Sequence, residues 1–343
     1  MQLYNKYSAK ENTRIIEKAD KRRVTLSFYK YVIIKNPKLF RDYLFFNWQH
    51  FDVLGRIYIS FEGINAQLSI PADRFEDFKS QIDEISFLKN IRLNLALEHN
   101  NKSFLKLTIK VRSKIVSDGL NKYLFEFIDP GEHLDAKAFN EMLDNKNTIC
   151  IDMRNHYESE IGYFKKAIKP NVYTFRESLP FVENNFSNHK ENKNIVLYCT
   201  GGIRCEKASA YLKYKGYKNV YQLEGGIIEY TRQAKKHGIE NKFIGKNFVF
   251  DQRKSERISD QIISKCHQCG ELCDSHVNCL NEACHLLFIQ CNRCAKKMDR
   301  CCSLKCKKIV SLPEEKRKKL RKGKKNSNKI FKKGRSPVLM FKQ

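Results

Sequence analysis

Two periodicities of hydrophobic residues follow one another between residues 24 and 112. Residues 56–61 and 105–112 alternate apolar with polar positions, which is the period of a half-buried strand. Residues 71–85 instead place apolar side chains three or four positions apart, which predicts an amphipathic helix. The full prediction is strand, helix, strand, strand, helix and strand, over residues 24–34, 37–51, 56–61, 66–70, 71–85 and 105–112.

This βαββαβ order is typical of a ferredoxin-like α+β domain, which we assign to residues 1–120. The outward face of its last strand carries Lys106, Lys110 and Arg112. A basic face of this kind usually lies in solvent, and a surface for nucleic acid is the alternative interpretation.

Residues 130–240 have a different pattern, in which short apolar runs alternate with helical stretches. The runs at 148–152, 195–198 and 220–223 have the length and composition of buried strands. Strands that alternate with helices at this spacing predict an α/β domain with a parallel sheet. Functional groups are expected at the carboxyl ends of its strands.

Cys199 directly follows one of these buried strands, and a helix is expected to begin shortly after it. The loop between them consists of Thr200, Gly201, Gly202, Ile203 and Arg204. A sulfur above a helix amino terminus faces backbone N–H groups that favour an anion, and Arg204 adds positive charge. These effects lower the pKa of a thiol from its ordinary value of about 8.5. We therefore predict a catalytic thiolate at Cys199 inside an anion cradle; the alternative is a buried small residue that only ends a strand.

The same domain contains two further cysteines. Cys205 lies at the start of the helix, where it is a possible second thiol able to form a disulfide with Cys199, although a structural role is the simpler interpretation. Cys150 lies within an apolar strand and is expected in the core.

Ten of the 13 cysteines fall between Cys266 and Cys306, within a cysteine-rich region that we assign to residues 260–306. Two CxxC pairs separated by 21 residues are close to the zinc-ribbon pattern, and each pair supplies two thiolates from one turn. The predicted ligands of a structural zinc ion are Cys266, Cys269, Cys291 and Cys294. A second site is plausible but its ligands are open, and reduced cysteines without metal are the alternative.

The net charge of +27 is concentrated near the end of the chain. Fifteen basic and two acidic residues lie between Lys307 and Gln343, which we interpret as a flexible basic tail. A polyanion is the natural partner of such a segment, although lysine-rich composition by itself is the alternative. The first residues expected to contact RNA phosphates are Lys316, Arg317, Lys318, Lys319, Arg321 and Lys322.

The apolar residues form no run of the length that a membrane helix needs, about 18, and the first ten residues do not resemble a secretory signal. A cytoplasmic protein with reduced cysteines and no membrane partner is therefore expected. We find no flavin, haem or nucleotide-binding motif. Composition does not indicate an oligomeric state.

Three segments resemble the rhodanese domain family. Residues 148–158 resemble its opening signature, residues 198–204 its active loop and residues 219–227 its closing segment. In that family the first cysteine of the loop carries a persulfide. The resemblance implies that Cys199 is the persulfide-bearing residue here. The C-x4-R spacing is one residue shorter than the C-x5-R loop of related phosphatases, which argues against phosphatase activity.

The whole arrangement resembles the tRNA uridine hydroxylase family. Its members combine a ferredoxin-like domain bearing Glu-Gly-Ile-Asn, here residues 62–65, with the loop of residues 199–207 and a cysteine-rich region. The resemblance implies hydroxylation of the wobble uridine of tRNA to 5-hydroxyuridine, with molecular oxygen as co-substrate. Cys199 would act as a nucleophile or carry an oxidised or persulfide sulfur. The alternatives are a sulfurtransferase or tRNA thiolation factor that uses a Cys199 persulfide, and a non-catalytic RNA-binding adaptor.

Overall fold

The computed structural model describes Asn5, residues 7–120, residues 129–322 and Leu339. In the first 120 residues the elements are α1 (Ala9–Ala19), β1 (Arg23–Tyr31), α2 (Pro37–His50), β2 (Leu54–Ser60), β3 (Gly63–Pro71), α3 (Phe75–Glu84), β4 (Asn94–Leu95) and β5 (Leu107–Val111). The middle of the chain contains β6 (Glu132–Leu134), α4 (Ala136–Asp144), β7 (Thr148–Asp152), α5 (His156–Ser159), β8 (Gly162–Phe164), α6 (Phe175–Phe186), β9 (Asn194–Tyr198), α7 (Ile203–Tyr214), β10 (Val220–Leu223) and α8 (Gly226–His237). The last elements are β11 (Phe243–Phe248), β12 (Ser255–Arg257), β13 (His276–Asn278), β14 (Leu287–Ile289), α9 (Asn292–Lys297), α10 (Leu304–Val310) and α11 (Glu314–Arg321).

The N-terminal domain has a five-stranded sheet in the order β4-β1-β3-β2-β5. The predicted ferredoxin-like arrangement is confirmed, but its fourth strand is β4, and the assignment of that role to residues 105–112 was wrong. β4 has two residues, too few to display a period, and it pairs antiparallel with β1. β5 is an additional strand at the opposite edge, parallel to β2. Buried side chains of α2 and α3, including Trp48 and Phe78, cover one face of this sheet.

The rhodanese-like domain is built on four parallel strands in the order β6-β10-β9-β7. α6 and α7 contribute side chains to one core cluster, and α4 and α8 contribute to the other. The predicted parallel sheet is confirmed, with β6 as a short strand that the hydrophobic pattern did not indicate. β9 lies between β10 and β7, which explains why its residues are almost all buried.

A three-stranded antiparallel sheet, β12-β11-β8, joins the rhodanese-like domain to the segment that follows it. β11 occupies the interval that we left between the predicted domains. The cysteine-rich region then folds around the β13–β14 hairpin and two small cysteine-lined cores.

Part of the segment that we interpreted as a flexible tail is helical. α10 and α11 extend through residue 321, while residues 323–338 and 340–343 lie outside the described residues. α11 has Glu314 and Glu315 in its first turn and Lys318, Lys319 and Arg321 in its last turn. This distribution stabilises a helix because it complements the helix dipole, an effect that net charge alone does not report.

Candidate active site and cysteine clusters

Cys199 lies at the carboxyl end of the central strand β9, where the chain turns into α7. Its side chain is fully buried. Gly202 is the N-cap residue of α7 and has a φ of 100°, a conformation that favours glycine. The Gly202 N–H donates a hydrogen bond to the Cys199 sulfur at 3.2 Å. The sulfur therefore lies at the amino terminus of α7, where the sequence predicts it.

The surroundings of Cys199 stabilise a thiolate. Burial by itself raises the pKa of this thiol, but the hydrogen bond from the Cys205 thiol, the charge of Arg204 and the N–H groups of Arg204 and Cys205 outweigh it. The net result is a pKa of about 5. Burial and the adjacent Cys199 raise the pKa of Cys205 well above its usual range, so Cys205 remains a thiol and acts as the donor of the pair.

Arg204 is held by the carboxylate of Glu158, which is not among the predicted site residues. Its two terminal nitrogens donate to Glu158 at 2.7 and 2.9 Å, and Nη2 also reaches the Thr200 hydroxyl at 3.3 Å. Glu158 is fully buried and Arg204 is nearly so. Arg204 therefore supplies charge to the loop from a fixed position and is not an open ligand for a substrate anion. The signal for this pair was available, since Glu158 ends the opening rhodanese signature.

The N-terminal domain lies directly against the thiol loop. The Tyr31 hydroxyl donates to the carbonyl of Ile203 at 3.1 Å. Lys207, one helical turn after the loop, forms ion pairs with Glu62 at 2.8 Å and with Asp118 at 2.6 Å, and its side chain is almost completely buried. Glu62 begins the Glu-Gly-Ile-Asn segment, so this segment joins the N-terminal domain to the helix that follows the thiol loop.

A cleft of about 1070 Å³ lies between the two domains beside this loop. Its wall contains Gly201, Glu206 and Lys207 from the rhodanese-like domain together with Tyr29, Tyr31 and Phe61 from the N-terminal domain. Its charged side chains are balanced, with four cations and four carboxylates: Lys30, Arg92, Lys114, Lys207, Glu62, Asp118, Glu206 and Glu224. A cleft with this balance suits a neutral polar ligand better than a polyanion.

Glu206 connects both sides of the cleft through one carboxylate. Its Oε1 accepts from the Tyr29 hydroxyl at 3.2 Å and lies 2.8 Å from Nε2 of His133. The hydrogen bond with Glu206 raises the pKa of His133. Burial raises the pKa of Tyr29 well above its usual range, and the charges of Glu206 and Cys199 act in the same direction. The cleft wall thus contains a titratable histidine and a neutral phenol near the thiolate.

The closing rhodanese segment holds the thiol loop through the backbone. The Ile227 N–H donates to the Cys199 carbonyl at 3.0 Å. Gly226 has a φ of 66°, and a Cβ added there would lie 2.5 Å from the Cys199 carbonyl oxygen and 2.7 Å from the Gly201 nitrogen. Backbone atoms at these distances cannot move aside without changing the loop.

Gly226→Ala is therefore expected to destabilise the protein more than Gly216→Ala. Both glycines have positive φ, which costs a non-glycine residue about 1–2 kcal/mol. A Cβ at Gly216 would meet nothing within 4 Å, whereas a Cβ at Gly226 overpacks the loop and adds about 1–3 kcal/mol. Urea unfolding of the two variants measures the difference, and equal losses would contradict this account of the loop.

The cysteine-rich region brings eight thiols into two groups of four. The first group contains the four predicted ligands Cys266, Cys269, Cys291 and Cys294, and the second contains Cys279, Cys284, Cys302 and Cys306. Within each group the sulfur atoms all lie within 4.8 Å of one another. Cys273 and Cys301 belong to neither group. The spacing of the CxxC pairs identified the first group, but the second has no such regular spacing.

The six basic residues proposed for RNA contact lie on or next to α11. Lys316, Lys318, Lys319 and Lys322 are exposed, and Arg317 and Arg321 are half-buried. None of the six lines the cleft beside the Cys199 loop in the described part of the chain. Among the described residues, no helix has the length and apolar character needed to cross a membrane.

Three protein-family models match this chain, each over one of the three regions described above. Residues 23–115 match the UPF0176 acylphosphatase-like domain, residues 135–233 the rhodanese-like domain and residues 244–307 the rhodanase C-terminal domain. A protein of Leptospira interrogans named tRNA uridine(34) hydroxylase is 50% identical over 97% of this chain and 90% of its own length. Proteins of the same name from Photorhabdus laumondii and Pectobacterium atrosepticum are each 51% identical over 97% of this chain, and over 95% and 94% of their own lengths.

Proposed function

The chain belongs to the tRNA uridine(34) hydroxylase family, and we propose that it hydroxylates uridine 34 of tRNA to 5-hydroxyuridine with Cys199 as the catalytic residue. The observation that carries this assignment of Cys199 is its thiolate, with a pKa of about 5, at the amino terminus of α7 beside the interdomain cleft. Thr200, Gly201, Gly202 and Ile203 form the loop around the sulfur, and Arg204 supplies its positive charge.

The interdomain cleft is the proposed site for the uracil base. Its volume is ample for a nucleotide base and its balanced charges suit a neutral one, while the phosphates remain outside. Phe61 and Ile33 line the cleft and are 54% and 67% exposed, so they offer an apolar surface on which an unstacked base can lie. Tyr29 lines the cleft, and its hydroxyl also lies against the thiol loop. The contact is close, since a Cβ added at Gly202 would be 2.6 Å from the hydroxyl oxygen. Cys199 is fully buried, so the proposal requires the Tyr29 ring to move aside before the base can reach the sulfur.

The net reaction inserts one atom of molecular oxygen at C5 of uridine, and the other leaves as water. It consumes two electrons and two protons from an external reductant. The Cys199 thiolate either adds to C6, which makes C5 electron-rich, or carries an oxidised sulfur. His133 and Glu206 provide a place on the cleft wall for a proton that leaves or enters.

Sulfur transfer is the second candidate, because the rhodanese-like domain and the C-x4-R loop both suit a Cys199 persulfide. Mass spectrometry of nucleosides separates the two. tRNA lacking the modification is incubated with purified protein, a reductant and either ¹⁸O₂ or a sulfur donor. An added ¹⁸O on uridine 34 is the expected result, and an added sulfur would contradict hydroxylation.

Phe61→Ala tests the cleft in the same assay. Loss of the aromatic surface is expected to raise KM for tRNA by about 10-fold, since stacking of one base contributes about 1–3 kcal/mol. Phe46→Ala is the matched control, because Phe46 is a similarly exposed phenylalanine on α2 that does not line the cleft. Equal effects of the two substitutions would place the base elsewhere.

The basic residues of α11 are proposed to contact tRNA phosphates, which contributes affinity and salt dependence but no base selection. Because the proposed substrate is tRNA, we propose that the enzyme acts in the cytoplasm. Cys205 is proposed as the hydrogen-bond donor that maintains the Cys199 thiolate, with disulfide formation as a secondary role.

We also propose that Cys266, Cys269, Cys291 and Cys294 hold a structural zinc ion. The Cys269 and Cys291 sulfurs are 3.7 Å apart, and a tetrahedral ion with Zn–S bonds of about 2.3 Å separates neighbouring sulfurs by about 3.8 Å. The Cys291 and Cys294 N–H groups donate to the sulfurs of Cys266 and Cys291, which suits thiolates. A Cys269→Ser variant is expected to lose one zinc per chain.

A further inference from the structure

The second group of four cysteines has the geometry of a metal site. The Cys302 sulfur lies 3.6 Å from that of Cys284 and 3.7 Å from that of Cys306. These separations are far longer than the S–S bond of a disulfide, about 2.05 Å, and match the edge of a tetrahedral ZnS₄ site, about 3.8 Å. The Cys302 N–H and the Asn281 side-chain amide donate to cluster sulfurs at 3.4 Å, so thiolates have donors in place.

Tertiary structure brings these ligands together from two segments. Cys279 and Cys284 both lie in the loop of the β13–β14 hairpin. Cys302 directly precedes the N-cap residue of α10, and Cys306 lies in its first turn. An ion bound here therefore joins the hairpin to α10.

The segment that contains the basic helix α11 packs against this cluster. Val310 of α10 packs against the same apolar core, and Leu339 is 3% exposed within it. Arg321 of α11 forms an ion pair with Glu282, which lies in the loop between Cys279 and Cys284. Leu280 and Leu320 line one small cavity together with this pair, so α11 contacts the loop that contains Cys279 and Cys284.

Buried glutamines connect this cluster to the first one. Gln268 lies between Cys266 and Cys269, and its side chain donates to the carbonyl of Cys301 at 3.0 Å. Gln290 donates to the Gln268 side chain at 2.8 Å. The first cluster thus supports the backbone next to Cys302.

We propose that Cys279, Cys284, Cys302 and Cys306 form a second structural zinc site, which fixes α10 and α11 on the body of the protein. The metal sets the position in which the basic residues of α11 meet an RNA backbone. The proposal of the metal site is independent of the proposed function, whereas the effect of the metal on RNA binding rests on it.

The experiment measures metal per chain by atomic emission in the full-length protein. Two zinc ions are expected in the wild type and one in both Cys284→Ser and Cys306→Ser. Cys273→Ser and Cys301→Ser are matched controls from the same region and are expected to keep two, because these thiols lie outside both groups. A zinc content that is the same in the wild type and in both cluster variants would overturn the metal site. If Cys306→Ser does not fold, Cys284→Ser, at a half-buried position, gives the same reading.

Hydrogen exchange and tRNA binding then test the coupling. Amides of α10 and α11 are expected to exchange about 10-fold faster in Cys284→Ser than in Cys301→Ser. The salt dependence of tRNA affinity in Cys284→Ser should fall to that of a variant with Lys316, Lys318 and Lys319 changed to alanine. Unchanged exchange and salt dependence after loss of one zinc would overturn the coupling. If wild-type protein fails to bind tRNA, the proposed function fails while the zinc counts still decide the metal site.

Discussion

Cys199→Ala is expected to abolish formation of 5-hydroxyuridine, with a loss of at least about a thousandfold in turnover, the scale seen when a catalytic nucleophile is removed. The reason is chemical, because alanine can neither add to the base nor carry an oxidised sulfur. The side chain is small and buried at the end of β9, so the fold should tolerate alanine. Nucleoside mass spectrometry of tRNA measures the product.

Cys150→Ala is the matched control for this substitution, since Cys150 is a buried cysteine on the adjacent strand β7 and has no place in the loop. It is expected to retain hydroxylation. If Cys199→Ala retained full activity, both proposed roles of the thiolate would be wrong.

The pH dependence of the hydroxylation activity provides a second test of the Cys199 thiolate. The Cys199 pKa of about 5 means that the anion predominates above pH 5 and is protonated as the pH falls through that value. Cys205→Ala removes the thiol donor, which raises the pKa of Cys199 and moves the acid limb of the activity profile to higher pH. An acid limb that did not move would show that Cys205 has no such role.

Glu158→Gln is expected to destabilise the protein by about 3–5 kcal/mol, the cost of leaving one partner of a buried ion pair without its counter-charge. Glu158 and Arg204 have side-chain exposures of 0% and 10%, so water cannot replace the lost carboxylate charge. Glu158 also accepts from the Asn155 N–H at 3.0 Å, which ties this carboxylate to the start of α5. Urea denaturation measures the loss.

The matched control is Glu191→Gln, which breaks an ion pair with Lys218 whose side chains are 67–74% exposed. Solvent screens such a pair, so little change in the free energy of unfolding is expected. A loss from Glu158→Gln no larger than that of the control would show that Arg204 does not depend on Glu158.

The sequence by itself determined the elements with clear periodicity and the sites made of neighbouring residues. The apolar run of β9 followed by Cys199, two glycines and Arg204 specifies a strand, a turn and a helix start, because each of these is a local preference of the backbone. The CxxC pairs likewise identified the first cysteine group, since each pair places two thiols on one turn.

Tertiary structure alone decided what depends on distant residues. β4 is a strand only because β1 provides its hydrogen-bond partners, so no period could reveal it. Glu158 and Arg204 lie 46 positions apart and meet because β7 and β9 are neighbours in the parallel sheet. The second cysteine group needs the β13–β14 hairpin and α10 to converge. The cleft beside Cys199 exists because Glu62 and Lys207 hold two separately predicted domains together, and a pattern within either domain cannot encode the contact between them.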